Sequence, residues 1–133
     1  IMLDLDHFKQ FNDRYGHEAG NELLRRLGGT IRALVREADI AARYGGEEFA
    51  VLIRGDESQG YELGERLRRA VEEVTVVVRN GRTTGATVSV GVASYPGVAA
   101  DEGQLIERAD AALARCETAA AAIRTSVRRR LAG

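Results

Sequence analysis

The chain has 133 residues, of which 44% are hydrophobic and 29% are charged, and its formal net charge at pH 7 is −1. This balance is ordinary for one globular domain and gives no sign of attraction to nucleic acid or to a membrane surface. No apolar run is long enough for a membrane-spanning helix, and the single cysteine, Cys116, excludes an internal disulfide and is compatible with the cytoplasm.

The chain begins with an apolar, strand-like run that contains one carboxylate, Asp4. Because an isolated buried carboxylate is costly, Asp4 needs a cation or hydrogen-bond donors nearby. We expect a helix to begin at about His7, with Asp6 as its N-cap. Lys9 and Asn12 are three residues apart on this helix and therefore share a face, where the pattern alone predicts that both are solvated.

Gly16 is the expected stop of that helix, and a longer helix is predicted from about Ala19 to Arg36. Shortly after its end comes Asp39, which could pair locally with the last arginine of the helix for less than about 1 kcal/mol. The apolar stripe of the long helix consists of Leu23, Leu24, Leu27, Ile31, Leu34 and Val35.

Two short apolar runs flank Gly45-Gly46 and predict a β-hairpin, because glycine enters positive-φ turns without a Cβ penalty. Glu47 and Glu48 follow, and neighbours on a strand point to opposite faces, so they cannot have the same role. Alone, this segment fits a hairpin with solvated acids at its tip. If Asp4 and Glu47 end adjacent strands, however, they form an oxygen-rich site suited to Mg²⁺ or Mn²⁺.

The remaining pattern predicts a helix from about Gln59 to Glu73, then strands from Val74 to Arg79 and from Thr84 to Ala93, with Asn80-Gly81 as a hairpin turn between them. A last helix is expected to begin near Asp101 to Gln104. These elements predict an α/β (α+β) fold with a central, mostly antiparallel sheet flanked by helices. Neither a GxxxxGK phosphate loop nor a GxGxxG fingerprint is present.

Three motifs occur in order: DLDHFKQFND at 4–13, GHEAGN at 16–21 and GGEEF at 45–49. Together they resemble DxDxFKxxND, GHxxGD and the GGEEF form of the signature in the GGDEF domain of bacterial diguanylate cyclases. The resemblance implies one GGDEF domain over residues 1–133, with the palm-like fold of nucleotide cyclases and polymerases. The family usually has one further N-terminal segment ahead of the position of residue 1.

The resemblance also implies an activity, the condensation of two GTP molecules into cyclic di-GMP with release of pyrophosphate. Asp4, the Leu5 carbonyl, Glu47 and Glu48 would hold Mg²⁺ or Mn²⁺. Glu47 would also help to deprotonate the 3′-hydroxyl that attacks the α-phosphate, and Lys9 would contact phosphate. Since each domain would hold one GTP, catalysis requires a homodimer.

The same resemblance assigns Asn12 to the guanine edge and the Gly45-Gly46 turn to the nucleotide. Asn21 stands where the family has a guanine-reading aspartate. An amide offers one acceptor oxygen where a carboxylate offers two, which could cost about 1–3 kcal/mol of base discrimination.

A second implied site is inhibitory and binds the product. Arg36 and Asp39 match the family's RxxD motif, because arginine grips phosphate or a guanine edge and aspartate accepts from guanine. Arg66 stands where the family often supplies a supporting arginine. The family normally places its regulatory input in an attached sensory domain.

The last helix departs from the family pattern. The family's phosphate-contacting lysine and arginine correspond to Glu117 and Ala121. Two lost contacts of about 1.5–3 kcal/mol each would weaken triphosphate binding by roughly 10²- to 10⁴-fold. Together with Asn21, these changes leave an alternative to the cyclase: a GGDEF domain without turnover that binds GTP or cyclic di-GMP as a regulatory module.

Overall fold

The computed structural model of the chain describes residues 1–95 and 99–115. Residues 79–81 form a 3₁₀ turn, and residues 102–115 are helical and are called α4. The other elements, in chain order, are β1 (Met2–Leu5), α1 (Phe8–Tyr15), α2 (His17–Leu34), β2 (Ile40–Arg43), β3 (Glu48–Leu52), α3 (Glu57–Glu72), β4 (Val76–Val77), β5 (Thr83–Thr84) and β6 (Val88–Gly91).

The central sheet has four strands in the order β2-β3-β1-β6, and every neighbouring pair is antiparallel. Strands β4 and β5 form a separate antiparallel pair. The predicted α/β fold with a central antiparallel sheet is therefore confirmed. Because β1 lies between β3 and β6, the residues of β1 have neighbours on both sides.

Helices cover both faces of this sheet. Leu3 and Leu5 of β1 are 0% and 1% exposed and belong to the main core, which α1, α2 and α3 complete. Met2 points to the other face and packs against Ala109 and Leu113 of α4. This alternation follows from the two-residue period of a strand, and it leaves Asp4 on the same face as Met2.

Helix α3 begins at Glu57, two residues before the predicted start, with a capping box in which the Asp56 carboxylate accepts from the Gln59 N–H and the Gln59 side chain accepts from the Asp56 N–H. The N-cap predicted for α1 is wrong. Helix α1 follows His7, which has φ +57°, and makes no side-chain capping bond. The Asp6 carboxylate instead accepts from the hydroxyls of Thr87, directly before β6, at 2.5 Å, and Ser89, within β6, at 2.6 Å.

The hairpin predicted at Asn80-Gly81 is present, and both residues have positive φ, 77° and 70°. The strand predicted from Thr84 to Ala93 is interrupted after β5. A Cβ built on Gly85 would lie 2.4 Å from the Val74 carbonyl oxygen, so the chain approaches its neighbour at a distance that only glycine permits. Among the described helices, none has both the length and the apolarity to cross a membrane.

Candidate active site

Acidic residues are paired in the backbone register at one end of the central sheet. Asp4 pairs with Glu48 of β3 on one side and with Ser89 of β6 on the other. The N–H of Leu5 donates to the carbonyl of Glu47 at 3.3 Å, which fixes that residue beside the end of β1. The register therefore places the backbone of Asp4 opposite Glu48 and close to Glu47.

The donor set at this end suits a hard divalent cation. Across residues 1–95 and 99–115, no three His, Cys, Asp or Glu side chains are grouped as a ready-made metal cage. Mg²⁺, however, usually takes only one or two carboxylates and completes its shell with waters and substrate phosphates. Paired strand-end carboxylates from Asp4 and Glu48, with Glu47 beside them, fit that requirement.

The turn before Glu48 is held by an arginine that the sequence argument missed. The Arg43 Nε donates to the carbonyls of Gly45, at 3.2 Å, and Gly46, at 3.1 Å. On the inner side, the Glu48 carbonyl accepts from the N–H groups of Tyr44, at 2.8 Å, and Gly45, at 3.3 Å. Arg43 stands directly before Tyr44-Gly45-Gly46, and this position beside a glycine turn is the feature of the sequence that could have indicated its role.

The reason given for the two glycines of this turn is wrong, although the β2–β3 hairpin is present. In the described part of the chain, positive φ at glycine occurs at Gly16 and Gly81 and not at Gly45 or Gly46. Gly45 matters for space, since a Cβ there would lie 2.9 Å from Glu48 Oε2. Its missing side chain makes room for the second carboxylate of the motif.

A groove of about 650 Å³ lies between α2 and β2, and Asn21, Arg32, Arg43 and Phe49 are among its lining residues. Arg25 also lines it, but its guanidinium is paired with Glu22 at 2.7 Å. That hydrogen bond is the main cause that lowers the pKa of Glu22 to about 2. The remaining arginines give the groove positive character, which suits phosphate.

The polar residues of α1 differ in burial. Lys9 is exposed, whereas Asn12 is half-buried. The Oδ1 atom of Asn12 is buried and has no hydrogen-bond partner among the described residues. Burial of Asn12 corrects the expectation from the pattern alone that both residues are solvated.

Arg36 and Asp39 do not form the local ion pair that the sequence suggested as the simplest role for them. The Asp39 carboxylate accepts from the backbone N–H of Arg36 at 2.8 Å, and the Asp39 N–H donates to the Arg36 carbonyl at 3.0 Å. This reciprocal turn leaves the Arg36 side chain exposed. Arg66 is exposed on α3 and, within the described ranges, makes no hydrogen bond or ion pair with either residue.

Three residues discussed from the sequence, Cys116, Glu117 and Ala121, lie outside the described ranges.

Comparison with known proteins gives the family. A family model described as "Diguanylate cyclase, GGDEF domain" matches residues 1–122, so the chain belongs to the GGDEF domain family. The GGDEF domain of DgcB from Caulobacter crescentus, solved in complex with c-di-GMP, has a TM-score of 0.80 and 35% identity, with 89% of this chain and 70% of that chain covered. This match confirms the predicted palm-like fold.

Two curated relatives carry different activities in their names. Diguanylate cyclase A of Treponema denticola is 41% identical over 114 residues, which are 85% of this chain and 30% of the relative. Cyclic di-GMP phosphodiesterase NbdA of Pseudomonas aeruginosa is 40% identical over 116 residues, which are 85% of this chain and 14% of the relative. The chain thus spans less than a third of either relative.

Proposed function

We propose that the chain is a diguanylate cyclase domain that condenses two GTP molecules into cyclic di-GMP. The observation that carries the proposal is the position of Asp4 beside Glu48, with Glu47 held next to the end of β1 by the Leu5 N–H. Names of relatives alone do not decide between a cyclase and another role. Acids at adjacent strand ends are what a metal-dependent nucleotidyl transfer needs.

Different residues would bind the metal, accept the proton and contact the triphosphate. Bound Mg²⁺ would neutralise the triphosphate and stabilise charge on the leaving pyrophosphate. Asp4, the Leu5 carbonyl, Glu47 and Glu48 would hold it, and Glu47 would accept the proton of the attacking 3′-hydroxyl. Lys9 would contact phosphate, and the turn at 45–46 would bound the triphosphate.

Guanine would be held by Asn12 and Asn21. Each domain would supply one GTP, so two chains must face each other around a two-fold axis. A cytoplasmic location, and control by a sensory domain in a longer protein, belong to the same proposal.

The test is product formation from GTP with Mg²⁺, followed by chromatography at high protein concentration so that dimers are populated. We expect cyclic di-GMP from the parent chain and none from Glu47→Gln, which keeps the shape of the side chain and removes its charge. Glu107→Gln, on the exposed face of α4, is the matched control and should keep parental activity. A parent without product at every concentration would refute the cyclase.

A second candidate is a regulatory module that binds cyclic di-GMP without turnover. It is favoured by the turn at Arg36, where the Asp39 carboxylate holds the backbone and the guanidinium stays on the surface. An exposed guanidinium suits the phosphate or guanine edge of cyclic di-GMP, with Arg66 in support. Cyclic di-GMP binding that is lost in Arg36→Ala, in a chain that makes no product, would establish this module. Binding unaffected by Arg36→Ala would exclude this site.

A further inference from the structure

Helix α2 packs against helix α1 at a glycine, Gly20. A Cβ built on Gly20 would lie 1.8 Å from Asn12 Oδ1, 2.9 Å from Asn12 Cγ and 3.2 Å from Phe8 Cζ. Gly20 lies within α2 and its φ is not positive, so its backbone suits any residue. Glycine is therefore needed there for space, and the space is filled by the amide of Asn12.

The two ends of that amide are in different surroundings. The Oδ1 atom faces Gly20, where it is buried without a hydrogen-bond partner in the described part of the chain. The Nδ2 atom makes no hydrogen bond there either, and it is not fully buried. A buried acceptor without a partner is unfavourable, so its presence calls for an explanation. Turning Oδ1 inward leaves two N–H donors facing outward.

We propose that Gly20 is a positioning residue for Asn12. By having no side chain, it lets the amide oxygen lie against α2, and the amide then presents its N–H groups to O6 of guanine, an acceptor that adenine lacks. This inference rests on the proposed function, in which Asn12 meets guanine. It adds that the second motif, GHEAGN, acts on the base through its glycine as well as through Asn21.

The packing half of the proposal is tested without nucleotide. The side-chain amide signals of Asn12 in a ¹⁵N–¹H spectrum are assigned by their loss in Asn12→Ala. We expect these signals to move in Gly20→Ala and to stay in place in Gly103→Ala, a helical glycine of α4 whose added Cβ meets only Asp101 Oδ1 at 3.4 Å. Unmoved Asn12 signals in a folded Gly20→Ala chain would overturn the proposal.

If Gly20→Ala does not fold, Asn12→Ala/Gly20→Ala replaces it, because the clashing amide is then absent. We expect the double variant to regain most of the thermal midpoint of Asn12→Ala. A double variant as unstable as Gly20→Ala would show that the glycine serves Phe8 or the helix itself, which would also overturn the proposal.

The nucleotide half is tested by titration with an α,β-methylene analogue of GTP, which cannot be turned over, and with the matching ATP analogue. Gly20→Ala should raise the dissociation constant of the GTP analogue by about threefold to tenfold, the effect of one lost hydrogen bond. It should leave the dissociation constant of the ATP analogue unchanged. In the Asn12→Ala background, Gly20→Ala should have no further effect. Additive losses, or equal losses for both analogues, would overturn the proposal. A parent chain that binds neither analogue would refute the proposed function, while the amide signals would still decide the packing of Gly20.

Discussion

The two faces of β1 have different surroundings. Leu3 and Leu5 are 0% and 1% exposed beneath α1, α2 and α3. Asp4, between them in sequence, faces the other way and pairs with Glu48 and Ser89. One strand of four residues therefore serves the core with one face and the candidate site with the other. Neighbouring residues of β1 therefore have different roles, one in stability and the next in the proposed chemistry. Single substitutions should affect one property without the other.

The largest effect on stability is expected at Leu3. Leu3→Ala should lower the free energy of unfolding by about 3–5 kcal/mol, because it leaves a cavity in a fully buried part of the core. Urea denaturation measures the change. Leu52→Ala is the control on the adjacent strand, where the side chain is 55% exposed and little apolar area is lost. Equal losses at both positions would contradict the division between the faces.

Asp4→Asn should reduce activity strongly and stability little, the opposite of Leu3→Ala. The substitution keeps the shape of the side chain and removes the charge that would hold Mg²⁺, so we expect cyclic di-GMP formation to fall by about 100-fold or more. The loss of stability in urea should be clearly smaller than that of Leu3→Ala, because Asp4 lies outside the main core. Asp110→Asn, exposed on α4, is the control for activity. A loss of stability similar to that of Leu3→Ala would show that Asp4 is part of the fold.

Ser89 tests the boundary between the two faces, since it is 1% exposed and yet polar. Its hydroxyl donates to Asp6 at 2.6 Å, and Ser89→Ala removes a hydrogen bond to a charged group, which is worth about 1.5–3 kcal/mol. Differential scanning calorimetry should show a lower midpoint for Ser89→Ala and an unchanged one for Ser58→Ala, which is exposed in the first turn of α3. An unchanged Ser89→Ala midpoint would mean that the remaining partners of Asp6, Thr87 among them, satisfy its carboxylate.

Local patterns predicted the fold well and the side-chain partners less well. The alternation in β1, the β2–β3 hairpin and the helix stripes depend on neighbours within a few residues, and all three are observed. Asp6 was misassigned because its partners, Thr87 and Ser89, are more than eighty residues away in sequence. A capping preference carries no information about a donor on another strand.

The glycines show the same limit. Gly45 and Gly20 suggested turn geometry and a helix motif, whereas the structure shows that each leaves room for a side chain, Glu48 in one case and Asn12 in the other. Arg43 was missed because the carbonyls that it binds become acceptors only once the turn is formed. At Gly20 and Gly45 the glycine provides space, and only the folded chain identifies the side chain that occupies it.

The smallest effect is expected far from β1, on the outer face of α3. The hydrogen bond from Arg68 is the main cause that lowers the pKa of Glu65 from 4.5 to about 2. Because the folded-state pKa is depressed, this ion pair stabilises the chain above the ordinary pKa and loses its effect as the pH falls towards 2. The side chain of Glu65 is 35% exposed, so solvent screening limits the contribution to at most about 1 kcal/mol.

Glu65→Gln should therefore be less stable than the parent at neutral pH by that small amount, and the difference should vanish as the pH falls from about 5 to about 2.5. It should also shrink in about 1 M NaCl, where charges are screened within roughly 3 Å. Glu62→Gln, exposed on the same helix, is the control. Urea denaturation across this pH range provides the measurement. A pH-independent difference would mean that Glu65 acts by packing, as the buried face of β1 does, and the contrast between surface charge and core would then be weaker than we infer.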